Sequence, residues 1–84
     1  MRTEYKFTGR GGETHRLVQI KNQSIFKLIT YNPVGITGPL NDIVAINLSG
    51  YPLLSVGDVI YSEVEIESIY HCNKLGICVT LKEI

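Results

Sequence analysis

The last third of the chain, SVGDVIYSEVEIESIYHCNKLGICVTLKEI at residues 55–84, decides the fold. Apolar side chains alternate with charged or polar ones over residues 59–72, which is the two-residue period of a strand with one buried face. Residues 73–76 then supply turn-forming Asn and Gly, and the alternation resumes at Ile77. This stretch therefore predicts a long strand, a tight turn and a returning strand.

Two registers are open for the predicted hairpin. A three-residue loop at 74–76 places Cys72 opposite Cys78, but it puts the apolar residues of the two strands on opposite faces. A four-residue loop at 73–76 places Cys72 opposite Ile77 and gathers the apolar residues on one face, so we favour it. In that register the two cysteine side chains point to opposite faces. This arrangement excludes a disulfide between them and predicts free thiols.

Length and composition indicate one small soluble domain. We expect a single β domain over residues 1–84, because the chain is too short for two cores. The net charge is zero but uneven, with six basic and three acidic side chains in residues 1–42 and two and five in residues 43–84. Such a balance does not indicate a basic nucleic-acid binder. The sequence shows neither a signal-peptide pattern nor an apolar run of membrane-spanning length, so we expect a cytoplasmic protein.

Three strand patterns precede the C-terminal hairpin. Residues 3–8 predict a first strand, and residues 15–21 predict a second with Val18 and Ile20 pointing inward. The Gly-rich segment between them predicts a turn. Residues 25–31 have the spacing of a short capped helix, but their Ile, Phe, Thr and Tyr content favours a strand.

The middle of the chain adds one more apolar strand. Residues 42–48 are almost continuously apolar and predict a strand buried on both faces, or an oligomer interface. With the hairpin, the chain then has about six mostly antiparallel strands and no long helix. We therefore predict an all-β fold, a small single-domain barrel or sandwich with a long C-terminal hairpin.

One short segment resembles a known structural feature. The sequence LSVGDVI at residues 54–60 is similar to the entry turn of many small barrels. Among these are the accessory barrels of translation factors and some nucleic-acid-binding OB-folds. A resemblance over so few residues is shared too widely to name a family.

The chain offers little for catalysis or metal binding. His71 adjoins Cys72 in a predicted strand, so the two side chains point to opposite faces, and neither cysteine follows a helix start that would activate it. His71, Cys72 and Cys78 would provide too few metal ligands at an unsuitable spacing. We therefore expect no enzymatic activity, no metal and no cofactor.

Two features indicate binding to another protein. Acidic residues alternate along one face of the long predicted strand and form either a solvated face or an acidic stripe for a basic partner: Glu63, Glu65 and Glu67. The segment at 32–41 holds two prolines and two glycines among the apolar Val34, Ile36 and Leu40. Those apolar side chains either plug one end of a barrel or are displayed for a partner.

The leading hypothesis is a non-enzymatic binding module that docks on a protein partner or self-associates. An inhibitor-type protein of phage origin is consistent with the size, and a homo-oligomer is favoured over a monomer because so small a domain has difficulty covering the 42–48 strand. The alternative is a ligand-binding protein that holds a nucleotide or single-stranded nucleic acid. Its binding residues would be Arg10, Arg16 and Thr37, together with the Gly-rich loops.

Overall fold

The computed structural model describes residues 1–21, 24–31 and 53–84. Their strands are β1 (Glu4–Thr8), β2 (Thr14–Gln19), β3 (Ile25–Tyr31), β4 (Val59–Ile60), β5 (Val64–Cys72) and β6 (Gly76–Glu83). All pairings are antiparallel, and the order across the sheet is β1-β2-β3-β6-β5-β4. The sheet curls into a nearly closed barrel, which confirms the predicted all-β fold. Within the described ranges, no helix has the length and apolar character needed to cross a membrane.

The barrel interior is filled by apolar side chains from all six strands and from the turn before β4. Tyr5 and Phe26 meet edge to face at its centre, with their ring centroids 5.7 Å apart. Burying each large apolar side chain of this kind stabilises the fold by roughly 1.5–3 kcal/mol. The buried cluster consists of Tyr5, Leu17, Phe26, Leu28, Leu54, Ile60, Val64, Ile66, Val79 and Leu81.

The first three predicted strands are confirmed, and residues 25–31 form a strand rather than a helical turn. The predicted inward phase of β2 is wrong, because His15 and Leu17 face the interior while Val18 and Ile20 are only half-buried. The predictions for the loop at 32–41 and the strand at 42–48 lie outside the described residues.

The single long strand predicted over residues 59–72 is wrong. The chain reverses after β4, and β4 then pairs antiparallel with β5, Ile60 lying opposite Val64. Tyr61 and Ser62 make this turn with φ values of 55° and 57°, in the left-handed region that costs non-glycine residues roughly 1–2 kcal/mol each. The apolar alternation continues through the turn because Ile60 and Val64 both point inward. With neither Gly nor Pro at the turn, the sequence pattern does not reveal it.

The hairpin of β5 and β6 adopts neither of the two registers considered. Its loop contains the residues 73–75, so that Cys72 lies opposite Gly76, which takes φ 81°. Cys72 and Cys78 therefore lie on the same face, as diagonal neighbours, and not on opposite faces as predicted. Both thiols are free, since diagonal neighbours stand about 7–8 Å apart, beyond the reach of a disulfide. Burial, and then the nearby Cys72, raise the pKa of Cys78.

A β-bulge at Glu67 changes the phase of β5. Ile66 pairs with Leu81, but the next paired residue is Ser68, so Glu67 is an extra residue on this strand. Beyond the bulge, Ile69 packs against the core in place of Tyr70, which is exposed.

Candidate functional site

The two end strands of the sheet, β1 and β4, approach each other along a line that we call the seam. Ion pairs between exposed or half-buried side chains join its two ends. Arg2 donates to Glu63 through Nε at 3.1 Å and through Nη2 at 2.7 Å. Arg10 donates to Asp58 through Nη1 at 2.9 Å and through Nη2 at 2.5 Å. Each guanidinium thus holds its carboxylate with two parallel hydrogen bonds, the geometry that fixes orientation best.

Tyr61 occupies the middle of the seam. Its hydroxyl accepts a hydrogen bond from the Lys6 backbone N–H at 3.3 Å and donates one to the Lys6 carbonyl. Its ring lies 5.9 Å from that of Tyr5, and the Arg2 guanidinium lies 5.0 Å from its centroid. A single side chain therefore satisfies the main-chain groups of Lys6 that a neighbouring strand would otherwise bond.

Unequal lengths explain why side chains close the seam. β1 has five residues, from Glu4 to Thr8, whereas β4 has only two, Val59 and Ile60, before the chain turns. A backbone ladder between these edges could join few residues, so long side chains bridge the rest of the seam.

A cleft of about 230 Å³ opens at the Arg10 end of the seam. Its accessible surface is polar and apolar in equal parts, with the Arg10 and Asp58 pair among the polar groups: Phe7, Leu53, Leu54, Val59 and Ile60 form the apolar part. Val59 lines the cleft, and within three residues of it along the chain Val56 and Tyr61 are also exposed. We call these three residues the corner patch: Val56, Val59 and Tyr61, with 63%, 53% and 47% of their surface exposed.

Both carboxylates of the seam are held in the charged form. Burial acts to raise the pKa of Asp58, but hydrogen bonds from Arg10 and from the Ser55 backbone N–H outweigh it and keep this pKa below its usual range. The hydrogen bonds from Arg2 lower the pKa of Glu63. At neutral pH the rim of the corner patch therefore carries two ionised pairs.

The Gly-rich segment after β1 encloses a buried polar network that the sequence analysis missed. His15 Nδ1 lies 2.8 Å from Thr30 Oγ1, and His15 Nε2 contacts the Glu13 carboxylate. The other oxygen of Glu13 accepts the Gly11 backbone N–H at 2.8 Å. Burial is the main cause that lowers the pKa of His15. The sequence signal was the shared parity of Glu13, His15 and the buried Leu17, which places all three on the inner face.

This network has the order of groups found in a hydroxyl, imidazole and carboxylate triad. Thr30 and His15 are both 0% exposed, however, so a substrate cannot reach the hydroxyl or the ring. All buried side-chain polar atoms of the described residues have a hydrogen-bond partner. The arrangement is therefore a satisfied structural network that ties the Gly-rich segment and β2 to β3.

The predicted acidic residues do not form a stripe along one strand. Glu63 lies in the turn before β5 and pairs with Arg2, whereas Glu65 lies on β5 and pairs with Lys82 at 3.2 Å. Glu67 is exposed at the bulge.

The predicted ligand-binding arginines are not brought together. Arg16 donates to Glu4 at 3.0 and 3.1 Å and lines a separate cavity of about 440 Å³ with Lys6 and Tyr31. Arg10 belongs to the seam. The other predicted site residues, Val34, Ile36, Thr37 and Leu40, lie outside the described residues.

No known protein family, curated protein or solved structure matches the chain. Among the side chains that the structure describes, no group of three or more His, Cys, Asp or Glu residues is placed to hold a metal ion.

Proposed function

We propose that this protein is a non-enzymatic binding module that docks on another protein through the corner patch and the adjoining cleft. The observation that carries the proposal is the exposure of Val56, Val59 and Tyr61, of which Val59 lines a cleft with an apolar part. Water-exposed apolar side chains gathered at one place are typical of interaction sites. Val56 and Val59 are more than half exposed, although a barrel interior lies a few residues away.

The surroundings of the patch have the layout of a protein interface. Stable interfaces combine an apolar centre, often with Tyr, and a polar rim that excludes water. Here the Arg10–Asp58 and Arg2–Glu63 pairs supply the rim on both sides of Tyr61. The cleft offers a place for an apolar side chain of the partner, while the rim fixes its orientation.

The charges around the patch favour a partner surface with charges of both signs. The rim carries two cations and two carboxylates in pairs, and Glu67, exposed on β5 next to β4, adds one further carboxylate. A partner whose charges complement this pattern, with a basic group near Glu67, would associate faster. An inhibitor of phage or other origin would use this same surface to cover its target.

Site-specific photocrosslinking in the producing cells tests the proposal. A photoreactive amino acid at Val56 or at Val59 should capture the same protein, because both side chains belong to one patch. The same group at Lys27, an exposed residue of β3, is the matched control. When Val56→Asp is added to the variant with the probe at Val59, the captured product should fall roughly tenfold. This corresponds to a loss of about 1.4 kcal/mol in binding free energy. Identical products at all three positions, or none at Val56 and Val59, would refute docking at this patch.

A second candidate, binding of a phosphate-bearing ligand, rests on the cavity at Arg16. Lys6, Arg16 and Tyr31 give it two cations and an aromatic ring, the groups that hold a nucleotide or single-stranded nucleic acid. Glu4 already neutralises Arg16, so a ligand would have to displace it. Fluorescence anisotropy with a labelled oligothymidine checks this candidate: binding should weaken with added salt and disappear in Arg16→Gln.

A further inference from the structure

We propose that the partner contributes an extended segment that forms backbone hydrogen bonds with both edges of the cleft, with Thr8 of β1 and with Val59 of β4. The inference rests on the proposed function, because it describes how the partner of the corner patch is held. Its basis is that each of these two residues turns its main-chain N–H and C=O groups toward the seam.

The pairing of β1 with β2 shows which residues of β1 face the seam. Gly9 donates to the Glu13 carbonyl at 2.8 Å, one residue beyond the last pair of the ladder. In this register the odd-numbered residues of β1 bond to β2, so the even-numbered ones direct their N–H and C=O groups to the opposite side. Lys6 agrees, since both of its groups contact the Tyr61 hydroxyl. Thr8, two residues further along, therefore presents the same two groups to the cleft that it lines.

The short strand β4 has the same property at Val59. The Ile66 N–H donates to the Asp58 carbonyl at 2.9 Å, and the Glu63 N–H donates to the Ile60 carbonyl at 3.0 Å. The residues on either side of Val59 are thus the ones that bond toward β5. Val59 itself directs its N–H and C=O groups away from β5 and toward the seam.

These main-chain groups have no hydrogen-bond partner within the described ranges. No ladder joins β1 to β4, and no described residue bonds the outward groups of Thr8 or Val59. Both residues are exposed, and both line the same cleft. An edge with unpaired N–H and C=O groups is a template for a further strand. Tyr61 takes the place of such a strand at Lys6, but no described side chain does so at Thr8.

The direction of these groups defines the segment that fits. In an extended chain one residue directs both of its main-chain groups to one side, and the next residue directs them to the other. Two consecutive residues of the partner can therefore bond Thr8 with the first and Val59 with the second, and neither can be proline, which lacks the N–H. A neighbouring apolar side chain would enter the apolar part of the cleft beside Phe7 and Leu53, and such pockets give strand addition its specificity.

The size of the cleft agrees with a short segment. Its volume of about 230 Å³ is small for a ligand site. Sites for small molecules measure roughly 300–1,000 Å³. The Tyr61 hydroxyl at Lys6 bounds the open part of the seam on one side, and the Arg10–Asp58 pair bounds it on the other. The partner therefore inserts a few extended residues and not a whole strand.

Thr8→Pro, added to the photocrosslinking variant with the probe at Val56, tests the inference. Proline removes the Thr8 N–H, which does not bond β2, so the β1–β2 ladder keeps its hydrogen bonds, and edge strands tolerate proline at such positions. Thr8→Val is the matched control, because it keeps the N–H and removes only the hydroxyl. The captured product should fall roughly tenfold in Thr8→Pro, since a partner carbonyl loses its donor, and stay unchanged in Thr8→Val.

The outcomes separate this inference from the proposed function. Equal capture by Thr8→Pro and Thr8→Val, whether high or low, overturns strand addition, while capture at Val56 with Thr8 in place still supports docking at the corner patch. Absence of a product when Thr8 is in place overturns both. A product that is a second copy of this chain would also contradict a segment of another protein.

Amide hydrogen exchange guards against a local change of fold in Thr8→Pro. In the purified crosslinked complex with Thr8 in place, the N–H groups of Thr8 and Val59 should exchange at least roughly tenfold more slowly than in the unbound protein, because they gain acceptors. The Lys6 N–H is the internal control, since it already bonds Tyr61 and should change less. Unchanged exchange at Thr8 and Val59 would refute the inference.

Discussion

Replacing Gly9 by Ala should destabilise the protein strongly through the buried network. A Cβ at residue 9 would collide with the Glu13 carboxylate and come within 2.5 Å of His15 Nε2. The backbone of Gly9 is outside the left-handed region, so the effect is one of space and not of conformation. To admit the methyl group, Glu13 must leave His15. His15 and the Gly11 N–H then lose their partner, and each buried polar group left unsatisfied in this way costs about 1–3 kcal/mol.

The cost is large for a domain of this size. At roughly 0.05–0.15 kcal/mol per residue, the whole fold is stable by roughly 4–13 kcal/mol. Urea denaturation followed by circular dichroism measures the free energy of unfolding directly. Gly76→Ala is the matched control, because a Cβ there meets nothing within 4 Å and the cost arises from its φ of 81°. We expect about 1–2 kcal/mol for that control.

A double-mutant cycle separates the collision from other effects of the methyl group. Glu13→Ala removes the carboxylate that occupies the space above Gly9, and it is itself destabilising because His15 and the Gly11 N–H lose a partner. In that background Gly9→Ala should cost less than about 1 kcal/mol, so the two substitutions are strongly non-additive. Equal costs of Gly9→Ala in both backgrounds, or a cost no larger than that of Gly76→Ala, would refute the reasoning.

Three further predictions follow from the network and the seam. Because burial lowers the pKa of His15, the unfolded chain takes up its proton first, and the free energy of unfolding should fall as pH drops below about 6.5; a rise there would contradict this. Tyr61→Phe should speed amide hydrogen exchange at Lys6, since its N–H loses an acceptor, while exchange at the core residue Leu17 stays unchanged. Arg10→Gln should raise the pKa of Asp58, measured by NMR titration, and an unchanged pKa would mean that the Ser55 N–H alone holds it low.

The sequence pattern was reliable where apolar alternation and strand boundaries coincide. β1, β3 and β6 were predicted because their inward residues, apart from Thr30, are apolar and Gly or polar turns separate them. The phase of β2 was missed because its inner face begins with two ionisable residues, Glu13 and His15. A polarity pattern assigns such residues to the surface, and only the hydrogen bonds of the folded barrel make their burial acceptable.

The register of the β5–β6 hairpin failed for a related reason. Both registers considered assumed that alternation continues unbroken from Val64 to Cys72. The bulge at Glu67 shifts the phase, so that Ile69 faces the core opposite Val79. A signal was present, because Ile66 and Ile69 are spaced by three residues, whereas Ile77, Val79 and Leu81 keep a strict period of two. A bulge inserts one extra residue into one strand, so apolar residues with different spacings in two paired strands can still face the same side.

The turn at Tyr61 links these failures to the proposed docking surface. In a single strand over residues 59–72, Tyr61 would have shared one face with Glu63 and Glu65. Tyr61 and Glu63 would then not have reached β1. The turn leaves β4 with two residues beside a β1 of five, and it directs Tyr61 and Glu63 back across the gap. The short β4 makes a complete ladder impossible, and the side chains that replace the ladder supply Tyr61 to the corner patch and form its charged rim. The surface that we propose for binding therefore exists because the chain reverses at a position where the polarity pattern does not change.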